Sequence, residues 1–378
     1  RDLLRVPRLL HGLVDLVGKL EAGVGVSAAR EEPQPGTTAV LLVNLGTPDS
    51  PSVGDVRNYL REFLSDPRVL DMSAIGRALL LHGYILRTRP RKVAPAYASV
   101  WTEMGSPLLV ESQKLRDGVA AELGGAFRVE LAMRYGKPSI RSALHRLLDN
   151  APDRLVVMPL FPQYTSAATG SALARVFEVL AEGPAERLPQ VYTVPAFHDD
   201  AGFLGSWAAV GREHIQAFAP DHVLFSYHGL PERQLRPLDR SGSHCLAKPD
   251  CCETLSAVNH ACYRAQCFAT TRSLVEPLDL AATPSSVSFQ SRLGRTPWIQ
   301  PHTDVVVTDL AQQGVRRLAV LCPTFVADCL ETLEEIGIRL REQWDRLGGE
   351  DLLLVPCPNA HPTWVHALAE LVRRHDHR

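Results

Sequence analysis

Short apolar runs alternate with helical patterns along most of the chain. Strand candidates fall at 39–45, 128–133, 154–160 and 190–194, and a second set at 222–227, 286–289, 317–322 and 352–356. Most are unbroken apolar runs rather than alternating ones, which suits strands buried on both faces of a parallel sheet. Helical periodicity covers 53–64, 107–123, 139–150, 171–181, 201–217, 254–274, 304–313, 328–347 and 362–375. Alternating strands and helices over this length predict an α/β protein. It should have two similar doubly wound, Rossmann-like domains with parallel four-stranded sheets flanked by helices, and a cleft between them. The domains are expected at 37–194 and 195–378. An internal echo supports the repeat: Arg154-Leu-Val-Val-Met-Pro-Leu-Phe161 parallels Arg317-Leu-Ala-Val-Leu-Cys-Pro-Thr-Phe325.

Residues 1–36 stand apart. Leucines and valines from Leu3 to Leu20 recur at helical spacing among Arg1, Arg5, Arg8, His11 and Lys19, before a Gly/Ala/Pro-rich linker. Two readings stand: a helix that packs or frays, or one lying on a membrane surface. A second amphipathic stretch, at about 72–87, carries Ile75, Leu79, Leu80, Leu81, Ile85 and Leu86, then the basic Arg87, Arg89, Arg91 and Lys92. By spacing alone it is an ordinary helix.

Composition narrows the function. The net charge of −2 gives no basic field of the kind nucleic-acid binders carry. There is no glycine-rich dinucleotide fingerprint, phosphate loop, His-Glu-x-x-His pair or nucleophile elbow. Of 8 cysteines, Cys245, Cys251, Cys252, Cys262 and Cys267 crowd into one stretch. That is no disulfide scaffold, so we read a reducing compartment and a candidate metal site. No tight Cys-x-x-Cys pair gives a zinc-finger spacing.

In open α/β sheets ligands bind outside the carboxyl ends of the strands. Those exits carry chemistry here: Asn44 to Pro48, Arg134-Tyr135-Gly136, Phe161 to Tyr164, Ser226-Tyr-His228-Gly-Leu-Pro231, and Cys322 to Glu335. At a strand exit His228 is as readily catalytic as structural. Glu331 and Glu335 are four apart and Asp328 precedes them by three, so one helix face is expected to hold all three acids. Such a face is commonly solvated, and acids at a helix start also complement its dipole.

In their order, Leu42-Val-Asn-Leu-Gly-Thr-Pro48, Gly105-Ser-Pro107, Met133-Arg-Tyr135, Gln163-Tyr-Thr-Ser166, Thr169-Gly-Ser171, Ser226 to Pro231, Pro297-Trp298 and Asp328-Cys-Leu-Glu-Thr-Leu333 resemble the ferrochelatases. The resemblance implies an enzyme inserting ferrous iron into protoporphyrin IX. His228 would take a pyrrole proton, with Glu331 on the opposite wall and Glu335 and Asp328 extending a polar path behind it. Any of the four could meet the iron. Asn44, Arg134, Tyr135, Tyr164 and Trp298 would line the porphyrin site, and 72–87 would form an apolar lip. Cys329 stands where some members have histidine, which weakens a relay through that position. The insert at about 241–270 is similar to one that carries a [2Fe–2S] cluster in some bacterial members. Its expected ligands are Cys245, Cys252, Cys262 and Cys267, with Cys251 as alternate to Cys252; zinc or unliganded thiols are the other readings. The rival functions are metal insertion into coproporphyrin or another tetrapyrrole, and haem binding without turnover. A cytoplasmic location, peripheral on the inner membrane, is expected. The oligomeric state, monomer or homodimer, stays open.

Overall fold

The computed structural model describes residues 37–376 except 150, 184–187, 240, 249 and 295. The amphipathic segment expected at 1–36 lies outside the described residues. Two all-parallel four-stranded sheets carry the fold. The first comprises β1 (Thr38–Thr47), β2 (Phe127–Gly136), β3 (Arg154–Pro159) and β4 (Gln190–Thr193) in the order β2-β1-β3-β4. The second repeats that order as β6-β5-β7-β8, from β5 (His222–His228), β6 (Ser285–Gln290), β7 (Arg317–Leu321) and β8 (Asp351–Leu354).

The unbroken apolar runs are explained by side-chain parity. In β1, Ala39, Leu41 and Val43 enter one core with Leu144, Val157 and Val176. Val40 and Leu42 enter another with Val119, Leu131 and Trp207. In β5, Leu224 faces Val320, Ile336 and Trp344, while Val223, Phe225 and Tyr227 join the same core as Val40 and Leu42. That shared core runs continuously beneath both sheets, with Trp364 packed 5.8 Å from Phe197 and 5.9 Å from Phe203. Burying each such side chain contributes about 1.5–3 kcal/mol.

In each sheet the chain moves from the first strand to one side and then crosses to the other. A crevice therefore opens beyond the carboxyl ends of β1 and β3, and of β5 and β7.

Three helical expectations need correction. The helix expected at about 72–87 is broken: after α1 (Val53–Ser65) come α2 (Ala74–Leu80), a π-helical turn at Leu81–Ile85, and α3 (Leu86–Val100). Pro90 and Pro95 lie inside α3 and hide it from the sequence pattern. Leu86, Ala94 and Tyr97 pack on Val56, Tyr59 and Leu60 of α1, and that packing outweighs the lost backbone donors. Within the expected 254–274, only α4 (Tyr263–Val275) is helical. The preceding loop is built around two side chains. Asp239 accepts the backbone N–H groups of Ser241, His244 and Cys245 at 2.8–2.9 Å. Asn259 donates to the carbonyls of Cys251 and Thr254 at 2.9 and 2.8 Å. Finally, the expected 328–347 begins at Leu330 and breaks into Leu330–Leu333, a π-helical stretch Glu335–Leu340, and Arg341–Arg346.

Candidate functional site

His228 is the last residue of β5, half-buried, with its ring 6.4 Å edge-on from that of Phe325. Its Nδ1 lies 2.7 Å from the Gly229 carbonyl, so Nδ1 is the donor there, and Nε2 is the nitrogen left to face the crevice chemistry. The loop behind it is fixed: Gly229 N–H donates to the Gln290 carbonyl at 2.8 Å. A Cβ at Gly229 would stand 2.6 Å from that oxygen and 3.2 Å from the Trp298 ring, so glycine is needed for this close approach.

Gln290, buried at the end of β6, joins this loop to the acids. Its side chain accepts from Ser226 Oγ at 2.7 Å and donates to the Glu331 carbonyl at 2.8 Å. Glu335 accepts from the Ser291 N–H at 2.8 Å and its hydroxyl at 2.5 Å. Burial, with the nearby Glu331 charge, pushes the Cys329 thiol well above its usual value. Burial pushes the Tyr97 phenol of α3 well above its usual value, and the nearby Glu331 charge adds to it. Asp328 is not on the helical face expected of it. It lies before the helix, turned inward, accepting from Asn359 Nδ2 at 2.7 Å, the Cys357 N–H at 3.2 Å and Thr332 Oγ1 at 3.3 Å. Burial raises its carboxyl against those hydrogen bonds.

The first sheet contributes a charged anchor. Arg134 donates to Asp66 at 2.7 Å and to Ser171 Oγ at 2.7 Å, and lies 4.4 Å over the Tyr135 ring. Tyr135 is wholly buried and donates to Asp66 at 2.9 Å, so it supports Arg134 from beneath and faces no open space. Burial opposes the Asp66 charge. Hydrogen bonds from Ser171, the Arg68 N–H and Tyr135, with the Arg134 charge, nevertheless hold its carboxyl below the usual range. Asn44 is also buried, donating to Ser112 Oγ at 3.0 Å and accepting the Leu45 N–H at 2.8 Å. Tyr164 follows β3, half-buried, its N–H on Gln266 at 2.7 Å. Trp298 donates to the Leu293 carbonyl at 2.8 Å and flanks Gly229.

The sequence profile of the ferrochelatases matches residues 37–376. The chain belongs to the ferrochelatase family. A ferrochelatase of Coxiella burnetii is 47% identical over 335 residues, 89% of this chain and 93% of its own. One of Legionella pneumophila is 46% identical over 333 residues, covering 88% and 98%. The solved structure of SirB from Bacillus subtilis with Fe3+ shares the fold, with a TM-score of 0.50 at 10% identity, over 90% of this chain and 96% of that one.

In this ferrochelatase the five insert cysteines are all buried and none is in a disulfide. The Cys251 and Cys252 sulfurs are 3.7 Å apart. Arg264 donates to Cys252 Sγ at 3.0 Å. Burial raises the thiols of Cys245, Cys251 and Cys267; neighbouring Cys262 and burial raise that of Cys252. Among the described residues, no three His, Cys, Asp or Glu side chains are spaced to hold a single metal ion. The donor set is nonetheless that of a thiolate-bound group: soft sulfurs sealed from water beside one guanidinium. A coordinated metal removes thiol protons outright.

Two functional positions have no signal in the sequence reading. Asp66 lies just past α1 in an unremarked Ser-Asp-Pro, and Gln290 ends an ordinary short strand. A polar residue closing an otherwise apolar strand is the cue that would have found Gln290.

Proposed function

We propose that the enzyme inserts ferrous iron into protoporphyrin IX to form protohaem. The observation that carries this is that Gln290 joins the loop after His228, whose Nδ1 is held by the Gly229 carbonyl, to the main chain of Glu331. A free porphyrin holds two N–H protons where the metal must go. A rigid cleft that grips a bent ring turns binding energy into a near-transition-state geometry. His228 accepts a pyrrole proton at Nε2. Glu331 receives iron or the second proton, and Glu335 and Asp328 continue the polar path. Imidazole and carboxylate hold ferrous iron weakly enough to release it. Arg134 meets a porphyrin propionate, while Tyr164, Trp298 and Asn44 complete the walls.

The apolar lip favours protoporphyrin over the more carboxylated coproporphyrin. Ile75 is 77% exposed, Leu79 70% and Tyr84 62%. Beside them Arg57, Arg61, His82, Arg87 and Arg91 line a depression of about 500 Å3. Apolar side chains next to arginines fit peripheral contact with an anionic bilayer; no described helix is long and apolar enough to cross one. Cys245, Cys252, Cys262 and Cys267 are assigned as ligands of a [2Fe–2S] cluster, with Cys251 as alternate to Cys252. Such a cluster supplies cross-linking or redox sensing, since iron insertion transfers no electrons.

The test is an anaerobic assay with ferrous iron, mild detergent and each porphyrin in turn. Porphyrin fluorescence should fall and haem bands rise, fastest with protoporphyrin, and His228→Ala should abolish both. Turnover by His228→Ala, or a preference for coproporphyrin, refutes the respective assignment.

A further inference from the structure

Helix α4 stands between the cysteine insert and both walls of the site. Cys262 immediately precedes it and Cys267 lies within it. Arg264 and Arg272 reach back to the Cys252 sulfur and carbonyl at 3.0 and 3.2 Å. The opposite side of the helix is a row of buried polar contacts to the strand exits. Gln266 holds the Tyr164 N–H at 2.7 Å, Thr270 accepts from Gln163 at 3.1 Å, and Thr271 meets the Tyr227 hydroxyl at 2.8 Å. Tyr263, 2% exposed, donates its hydroxyl to the main-chain carbonyl of His228 at 2.8 Å and lies 2.9 Å from Thr324 Oγ1.

We propose that Tyr263 is a positioning residue for His228, and that α4 carries the state of the cysteine insert to it. The inference rests on the reading of His228 as proton acceptor. The His228–Gly229 peptide is held by Gln290 on one side and by Tyr263 on the other. Because Cys262 is its chain neighbour, any change in what the thiols hold shifts the Tyr263 backbone directly.

The experiment is a double-variant cycle on the full chain, Tyr263→Phe against Cys262→Ser, with His228→Ala as reference. Tyr263→Phe should lower kcat about tenfold, since a misplacement of about 1 Å can cost about a hundredfold. Porphyrin KM should stay within about twofold, and the visible absorption of the thiol-bound group should be unchanged. Carbethoxylation of His228, followed by peptide mass spectrometry, should change rate without any turnover. Cys262→Ser should lose the absorption and lower kcat, and the double variant should fall no further than Cys262→Ser alone. If Cys262→Ser does not fold, Cys245→Ser takes its place in the cycle. Wild-type kcat in Tyr263→Phe beside an inactive His228→Ala overturns the positioning role, as does a parallel rise in KM and fall in melting temperature. Fully additive losses overturn the transmission. Activity in His228→Ala refutes instead the reading on which the inference rests.

Discussion

Replacing Asp66 by Asn isolates one charge at the heart of the first crevice. Asp66 is 7% exposed and accepts from Arg134 at 2.7 Å, Tyr135 at 2.9 Å, the Arg68 N–H at 2.7 Å and, by a short contact, Ser171. Asparagine keeps the shape but removes the charge and turns one acceptor into a donor facing donors. Arg134 then stays 15% exposed without its carboxylate. Removing one partner of such a buried pair costs about 3 kcal/mol. At about 2 cal/mol/K per residue, the unfolding entropy of some 340 residues is roughly 0.7 kcal/mol/K, so the melting midpoint should drop by about 4 °C at pH 7. The Asp66 carboxyl is lowered in the folded protein, so its contribution is fully present above the unfolded value of about 3.9 and is lost as pH falls through the folded value. The gap between wild type and variant should therefore be constant from pH 7 down to about 5 and close in stronger acid. Scanning calorimetry across that range is the assay. A shift under 1 °C at pH 7, or a gap that widens in acid, would show that the charge is not what holds this network.

His198 is buried, and neither ring nitrogen has a hydrogen-bond partner among the described residues. Burial lowers its pKa, so the unfolded chain binds the proton first; urea midpoints should fall as pH drops below about 6.5, and His198→Phe should flatten that slope. Gly46 has φ +121° and a Cβ there would stand 1.8 Å from the Tyr135 carbonyl oxygen, so Gly46→Ala should cost more than about 3 kcal/mol, read as lost soluble yield or melting temperature. The double variant Ile75→Asp, Leu79→Asp should cut co-sedimentation with anionic vesicles at least about tenfold; unchanged sedimentation would remove the lip from membrane contact.

The eight strands were legible because burial on both faces leaves an apolar run whichever way a side chain points, as in Val40–Leu41–Leu42. His228 was legible because it ends such a run. What stayed hidden depends on contacts between distant segments. No helix is read over 88–100, where Pro90 and Pro95 interrupt the pattern, yet Tyr97 and Leu86 of α3 are held by α1. Helical spacing put Asp328 beside Glu331, yet Asn359, thirty-one residues on, draws it out of the helix. Asp66 gathers Arg134, Tyr135 and Ser171 from as far as 105 residues away, and no local pattern encodes that.

The apolar core shared by both sheets limits how the molecule can breathe. Trp207, Phe203 and Trp364 join Val40 of one sheet to Val223 of the other in a single packed mass. Swinging one half about a hinge would tear that mass open, so a clamshell motion is closed to this chain. Traffic through the crevice must instead use α2 and the π-helical turn after it. In α2 no residue is buried, and in the turn only Leu81 and Ile85 are. Amide hydrogen exchange should therefore be quickest along residues 74–84 and slowest in β1 and β5, which makes the rim, rather than the jaws, the moving part of the enzyme.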